Sequence, residues 1–386
     1  MTAIVVDDRY RLPLVQRPTD SWRDLRFAEL LVGLSIPFWR VGVPPGMPLD
    51  VGVFAAVVGA CWIFVRPSVE TPSLKWATLL YFAMLGHVVV VSVIVGQPWA
   101  QRSFRFVLLF LFAVMVAQGR LHWRSIVVGG LASLVLVNVP AFYAGLAPND
   151  YPPYLTGWLG DKNVAGLYYA AFALLGLPLA RKRWHQVVLV VVMFALVWAT
   201  GSRTSIAALV CGLGWWLIRN RLPLPARLAA FGLGIWALTA VEETTSQIGP
   251  FADRTGTDLL RSEIHAAEQV KLAASPWYGD GLNTATVSVM HWESMWFHDS
   301  YAALRVEGGI PMFVAILVLF GGIGLGLLSV KRQVGSNLCA AEGAIIVLLV
   351  CAWQLGEVFF TSLAFLVLGI ALYERLSTPL HEDAQP

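Results

Sequence analysis

The sequence predicts an all-α polytopic integral membrane protein of about twelve transmembrane helices, with one long extracytoplasmic loop carrying short amphipathic helices. Three observations predict it. Of the 386 residues, 57% are hydrophobic and 13% charged, and the mean hydropathy is +0.67, more apolar surface than a soluble domain can hide from water. The apolar residues run in stretches that match a hydrocarbon core of about 30 Å, which needs roughly 17 to 25 helical residues per crossing. The basic residues fall into two unequal groups when these stretches are threaded back and forth, as the resistance of short Lys- and Arg-bearing loops to translocation requires.

Taken in order, the segment 1–26 carries Arg9, Arg11, Arg17 and Arg23, is broken by Pro13 and Pro18, and lacks the apolar centre of a cleaved signal peptide. It is expected to be a cytoplasmic tail. Charged or Pro/Gly punctuation then delimits helices over 27–43, 49–65, 74–95, 104–118, 125–146, 163–180, 186–200, 203–219 and 226–241. These nine make the first membrane unit, 27–241. A polar segment over 242–297 follows, long enough to be either functional or disordered. Trp277, Tyr278, Trp292, Trp296 and Phe297 argue against disorder, and Leu260, Ile264, Ala267 and Ala274 share one helical face, so short helices lying on the outer membrane surface are expected. Helices over 300–328, 338–355 and 358–373 complete a second membrane unit, 298–373, and 374–386 is a cytoplasmic tail.

This threading leaves 18 of the 27 basic residues inside. The other nine, Arg40, Arg102, Arg105, Lys162, Arg203, Arg254, Arg261, Lys271 and Arg305, fall in outer loops or at outer helix ends, against the insertion preference. Each alone reads as a side chain snorkelling to lipid headgroups. Together they suggest an anionic ligand at the outer face, and a lipid diphosphate fits that location. Arginine suits the task, since its planar fork grips phosphate oxygens in pairs and keeps its charge when partly buried. Arg102 and Arg105 stand three residues apart, on roughly one face of a helix start. His298, in the run HDSYAALRVEGGIPMF where the long loop enters a helix, is a candidate general base. Seven residues on, Arg305 is expected to return to the same face.

Several classes are excluded. A formal net charge of +3 with no basic stripe between aromatics does not point to nucleic acid. Cys61, Cys211, Cys339 and Cys351 all lie in apolar runs without CxxC pairing, and read as small core residues. The outer carboxylates Asp253, Asp258, Asp280 and Glu293 are scattered without a DxD pair, so no metal site and no cofactor are expected.

Four separated segments carry a resemblance. The chain resembles the O-antigen ligase and O-antigen polymerase superfamily, membrane enzymes that move glycans from polyprenyl diphosphate carriers. GDKNVAGLYYA, which holds Lys162 and Asn163, looks like that family's G-x-x-N-x-x-A helix start, and TGSRTSIAAL around Arg203 is similar to its G-S-R-T turn. Arg261 followed by Pro276 and the Gly279, Gly281 pair resembles its R, P, G-x-G loop. His298, then Asp299, nine residues and Gly309, is similar to the ligase signature of His, an amide or serine, nine residues and Gly. Asp299 stands where Asn, Ser or Gln is usual, and Met312 where a small residue or Tyr is usual. The resemblance spans roughly Leu159 to Leu328.

The resemblance implies an inverting, metal-independent transfer of a glycan from undecaprenyl diphosphate to an acceptor hydroxyl on a lipid or a glycan, at the outer face of a bacterial cytoplasmic membrane. It implies His298 as base, with Arg203, Arg261 and one of Arg102 or Arg105 on the diphosphate, and Asp299 either orienting the imidazole or touching sugar hydroxyls. Lys162, Asn163 and Arg305 complete the expected donor-binding set. A polymerase of the same superfamily is the alternative within the class. A polytopic transporter of an anionic lipid or glycan is the alternative outside it, although it would be expected to carry charges deep in its spans, and Glu357 alone is too little.

Overall fold

The computed structural model describes residues 25–38, 40–43, 47–48, 51–54, 72–245, 255–289, 292–327 and 333–376, and within these leaves the side chains of 43, 47, 72–73, 235–245, 255–261 and 292–293 undescribed. The expected cytoplasmic tails, apart from residues 25–26 and 374–376, and most of the expected helix over 49–65 lie outside the described residues. The described chain is mostly helical. Among the described residues, four helices are long and apolar enough to cross a membrane: Leu74–Val95, Ala100–Ala117, Trp123–Tyr143 and Ser300–Gly324. Shorter apolar helices occupy Phe27–Phe38, Arg183–Ala199, Arg203–Ile218 and Ser336–Cys351.

The first helix, α1 (Phe27–Ser35), tightens into a single narrow turn at Ile36–Phe38 and stops there, short of the expected residue 43. Pro37 has no N–H to continue the ladder. Two short strands, β1 (Gly42–Val43) and β2 (Met47–Pro48), then pair antiparallel. Helix α2 (Pro72–Val95) leads by a tight turn into α3 (Ala100–Ala117). Helix α4 (Trp123–Tyr143) widens over Ser133–Asn138, just ahead of Pro140, whose ring would otherwise press on the preceding turn. Asn138 is buried at that widening. It donates to the Tyr169 hydroxyl at 3.0 Å and accepts the Trp158 N–H at 2.8 Å, tying α4 to α5 (Lys162–Gly176).

Helices α6 (Arg183–Ala199), α7 (Arg203–Ile218) and α8 (Leu224–Thr245) follow, then α9 (Thr255–Ala274). A hairpin of β3 (Thr286–Val289) and β4 (Trp292–Trp296) precedes α10 (Ser300–Leu317, continued in wider turns to Gly324), α11 (Ser336–Cys351) and α12 (Ser362–Leu376). The amphipathic helix expected in the long loop is therefore present as α9. Its apolar face is used differently from the expectation: Ile264 is buried in a small cluster with Val287, Val289, Phe297 and Val306, so α9 packs on the hairpin and α10.

One contiguous apolar core joins most helices, and α5 and α12 are buried along almost their whole length. Helices α7 and α11 approach closely where Gly212 and Gly343 meet, since a Cβ on either would lie 2.8 Å from the other's carbonyl oxygen. Such small-residue contacts are how helices associate where lipid removes the hydrophobic drive. The outer surfaces of α2 and α6 instead expose Trp76, Leu79, Val90 and Ile94, and Trp184, Val187, Val191 and Trp198. Apolar faces of that extent belong against a bilayer or another protein rather than in water.

Candidate functional site

A cavity of about 1060 Å³ opens at the end of the molecule where α3, α5, α10 and α12 begin and α11 ends. Arg102, Arg105, Asn163 and His298, four of the residues singled out in the sequence, all line it. They come from three segments far apart in the chain. The wall between them is rich in amides, with Gln97, Gln101, Asn283 and Gln354, and in aromatic rings, with Trp99, Trp296 and Tyr151. Amide groups match the paired donor and acceptor character of sugar hydroxyls, and indole faces match the apolar faces of a sugar ring.

The two arginines of α3 are held in an ion network. Arg102 pairs with Glu307 of α10, and its other terminal nitrogen lies 3.2 Å from Glu357. Its guanidinium also lies over the rings of Phe106 and Trp296, at 5.5 and 5.4 Å. Arg105 donates to Glu357 at 2.6 Å and to the Phe360 carbonyl at 2.9 Å. Glu307 is shut off from solvent and also accepts the Asn283 N–H at 3.1 Å. Glu357 lines the cavity and is partly exposed. Arg40, on the same wall, is held by Asp150 at 3.2 Å.

His298 sits on a short link between β4 and α10, its side chain exposed to the cavity and its backbone fixed from three sides. Its N–H donates to the buried Glu268 of α9 at 2.5 Å. The preceding Phe297 N–H donates to the Ala285 carbonyl at 3.1 Å, and Gly356 packs on Phe297 so closely that a Cβ there would meet the carbonyl oxygen at 1.7 Å. Burial pushes the Glu268 carboxyl above the usual carboxylate range, and the His298 N–H and His265 pull against that rise. Asp299 caps α10: one of its oxygens accepts the N–H groups of Tyr301 at 2.7 Å and Ala302 at 3.2 Å. Its carboxyl too is raised by burial, against the pull of those two N–H groups. Next to it, Ser300 staples α10 to the end of α11, through its N–H to the Ala352 carbonyl at 2.9 Å and its hydroxyl between Leu355 and Val358.

Helix α10 is broken at Gly309, whose φ of 67° lies in the left-handed region. The freed backbone groups are taken up by the loop 277–281: Ile310 N–H meets the Trp277 carbonyl at 2.7 Å, and Asp280 and Gly281 N–H groups meet the Val306 and Glu307 carbonyls at 2.7 and 2.9 Å. His87 of α2 bridges the carbonyls of Tyr278 and Gly308 at 3.1 and 3.2 Å. That explains a histidine inside a span without assigning it chemistry. Broken helices at membrane depth need such internal partners.

The remaining expected residues stand elsewhere. Asp161, the cap of α5, positions Asn163 and lines the cavity, whereas Lys162 is buried with its ammonium 5.0 Å over the Tyr154 ring. Arg203 is half-buried at the start of α7 and is not on the cavity wall; two residues on, Ser205 donates to the Asn163 carbonyl at 3.3 Å, so the first turn of α7 supports the wall from behind. Arg305 is exposed and off the wall, because His298 precedes the cap of α10 and shares no helical face with it. The side chain of Arg261 lies outside the described residues. Among the described residues, no group of three His, Cys, Asp or Glu stands close enough to hold a metal ion.

Glu307, Asn283 and Glu268 are not singled out by the sequence, and Glu357 is noted there only as a lone charge too weak to argue for a transporter. The signal for Glu307 was there: a carboxylate within an apolar run, just before Gly308 and Gly309, needs a partner. No family model, curated protein or solved structure matches the chain.

Proposed function

We propose that the chain is a membrane glycosyltransferase of the O-antigen ligase type, moving a glycan from a polyprenyl diphosphate to an acceptor hydroxyl, with about twelve membrane spans and the cavity on the side away from the cytoplasm. The observation that carries this reading is that one large cavity is lined by an exposed imidazole, two arginines and a wall of amides and aromatic rings. Those are the parts that a base, a diphosphate clamp and a sugar site require.

In this reading the acceptor hydroxyl gives its proton to His298 as its oxygen attacks the anomeric carbon from the face opposite the diphosphate. The bond from that carbon to the diphosphate oxygen breaks, and the electron pair leaves with the oxygen. Arg102 and Arg105 hold the charge that grows there. The glycan is transferred with inversion, the carrier leaves as a diphosphate, and the imidazolium returns its proton to water. Asp299 contributes as a helix cap rather than to the chemistry. Ser, Asn and Asp are interchangeable as caps, so the departure of Asp299 from the family pattern keeps its physical role.

The test is an assay of the purified protein with a polyprenyl diphosphate-linked glycan, offered both a lipid acceptor and a second carrier-linked chain, with and without a chelator. Transfer to the lipid acceptor is the expected product, and extension of the carrier-linked chain would make the protein a polymerase. Absence of transfer to either acceptor rejects the proposal, and loss of transfer on chelation rejects the metal-independent route.

A further inference from the structure

The two carboxylates that meet the arginines of the cavity differ in exposure. The Glu307 side chain is 2% exposed inside α10, beyond the reach of an aqueous ligand. That of Glu357 is 36% exposed on the cavity wall, and a single oxygen of it bridges Arg105 at 2.6 Å and Arg102 at 3.2 Å. One acceptor oxygen shared by guanidinium groups from adjacent turns of a helix is the arrangement a phosphate oxygen adopts between paired arginines.

The backbone on both sides of Glu357 is pinned. Gly356 rests on the Phe297 carbonyl, and the Val358 N–H donates to the Ser300 hydroxyl at 3.1 Å. Rotation of the side chain is therefore the movement open to Glu357, without any opening of the chain around it.

We infer that the Glu357 carboxylate is a built-in occupant of the cavity's anion site, displaced when a diphosphate takes over the bridge between Arg102 and Arg105. The inference rests on the reading of the cavity as a diphosphate site and adds the residue that competes for it. While the cavity holds no ligand, Glu357 keeps both guanidinium groups satisfied beside apolar rings, where an unpaired cation is unfavourable. Binding then exchanges one ion pair for another, so the apparent affinity is lower than the intrinsic one by the factor with which Glu357 holds the site. For a transferase this has a use: the carboxylate returns as the product diphosphate departs.

The experiment titrates the purified full-length protein in lipid nanodiscs with inorganic pyrophosphate by calorimetry. It compares the wild type with Glu357→Gln, Glu357→Asp and Arg105→Gln, with thermal melting to verify that each is folded. Glu357→Gln is expected to bind pyrophosphate about fivefold more tightly than the wild type, the factor expected when a partly exposed ion pair no longer competes. Glu357→Asp, too short to bridge both arginines, should fall between, and Arg105→Gln should bind most weakly. Unchanged or weaker binding by Glu357→Gln overturns the inference, as does absence of binding in both wild type and Glu357→Gln. A protein that shows the shift but transfers no glycan keeps this inference and loses the transferase reading. One that transfers glycan without the shift does the reverse.

Discussion

Truncating His298 removes an exposed side chain and leaves its backbone N–H on Glu268, so it separates chemistry from folding. His298→Ala is expected to melt with the wild type and to lose transfer by about 10²- to 10⁴-fold, the share general base catalysis commonly supplies. Full turnover by the folded variant in the transfer assay would reject the base assignment. Asp299 gives the complementary experiment, because its carboxylate is used on two N–H groups of α10. Asp299→Asn retains a capping side chain and should keep both stability and transfer, while Asp299→Ala should lose about 1 kcal/mol of stability, the usual worth of a cap. If Asp299→Asn melted normally but failed to transfer glycan, the carboxylate would have a chemical role beyond the cap.

At the scale of elements, the break in α10 ties the long loop to the membrane helices. A Cβ at Gly309 would lie 2.1 Å from the Trp277 carbonyl oxygen, and the backbone there is left-handed. Gly309→Ala is therefore expected to cost about 2 to 5 kcal/mol through overpacking and backbone strain combined. Hydrogen exchange should show the loss first in 277–281, and wild-type protection of that loop in the variant would count against the coupling. These same elements show what was legible in the sequence. Helices such as Pro72–Val95 and Arg203–Ile218 were visible because an apolar run needs no knowledge of its neighbours. The break at Gly309 was not, since the loop that fills it lies some thirty residues upstream. The hairpin Thr286–Trp296 was read as part of a helical loop, because strands of four and five residues carry little period and depend on partners such as Lys271, which donates to the Thr284 and Thr286 carbonyls at 2.5 and 2.7 Å. Among site residues on the cavity wall, Arg102, Arg105 and His298 are legible from residue type and placement, and Asn163 only from the resemblance. Their pairing with carboxylates was not legible, as Arg102 meets Glu307 and Glu357 across 205 and 255 positions of sequence.

Across the whole molecule, ionic groups are used in opposite ways at the two ends. At the end where α7 and α12 finish and α11 begins, Glu342 is fully buried and takes Arg219 at 2.5 Å, Arg375 at 2.8 Å and the Trp215 indole N–H at 3.1 Å. Arg375 also donates to the Gly324 carbonyl at 2.9 Å, which draws the end of α10 into the cluster. This network is closed and joins four helices, whereas the one around Arg102 and Arg105 is open to the cavity through Glu357. A closed network whose central anion is removed leaves buried cations without a counter-charge, typically a loss of about 3 to 5 kcal/mol. Glu342→Gln is accordingly expected to lower the melting temperature strongly, because a neutral amide replaces one charge serving two guanidinium groups. Helix α11 separates Glu342 from the cavity by nine residues of helix up to Cys351, about 13 Å at 1.5 Å per residue. Whatever fraction of Glu342→Gln remains folded should then bind pyrophosphate as the wild type does. A wild-type melting temperature would show that the cluster holds little of the fold together, and altered pyrophosphate affinity in the folded fraction would show that the two ends are coupled through α11.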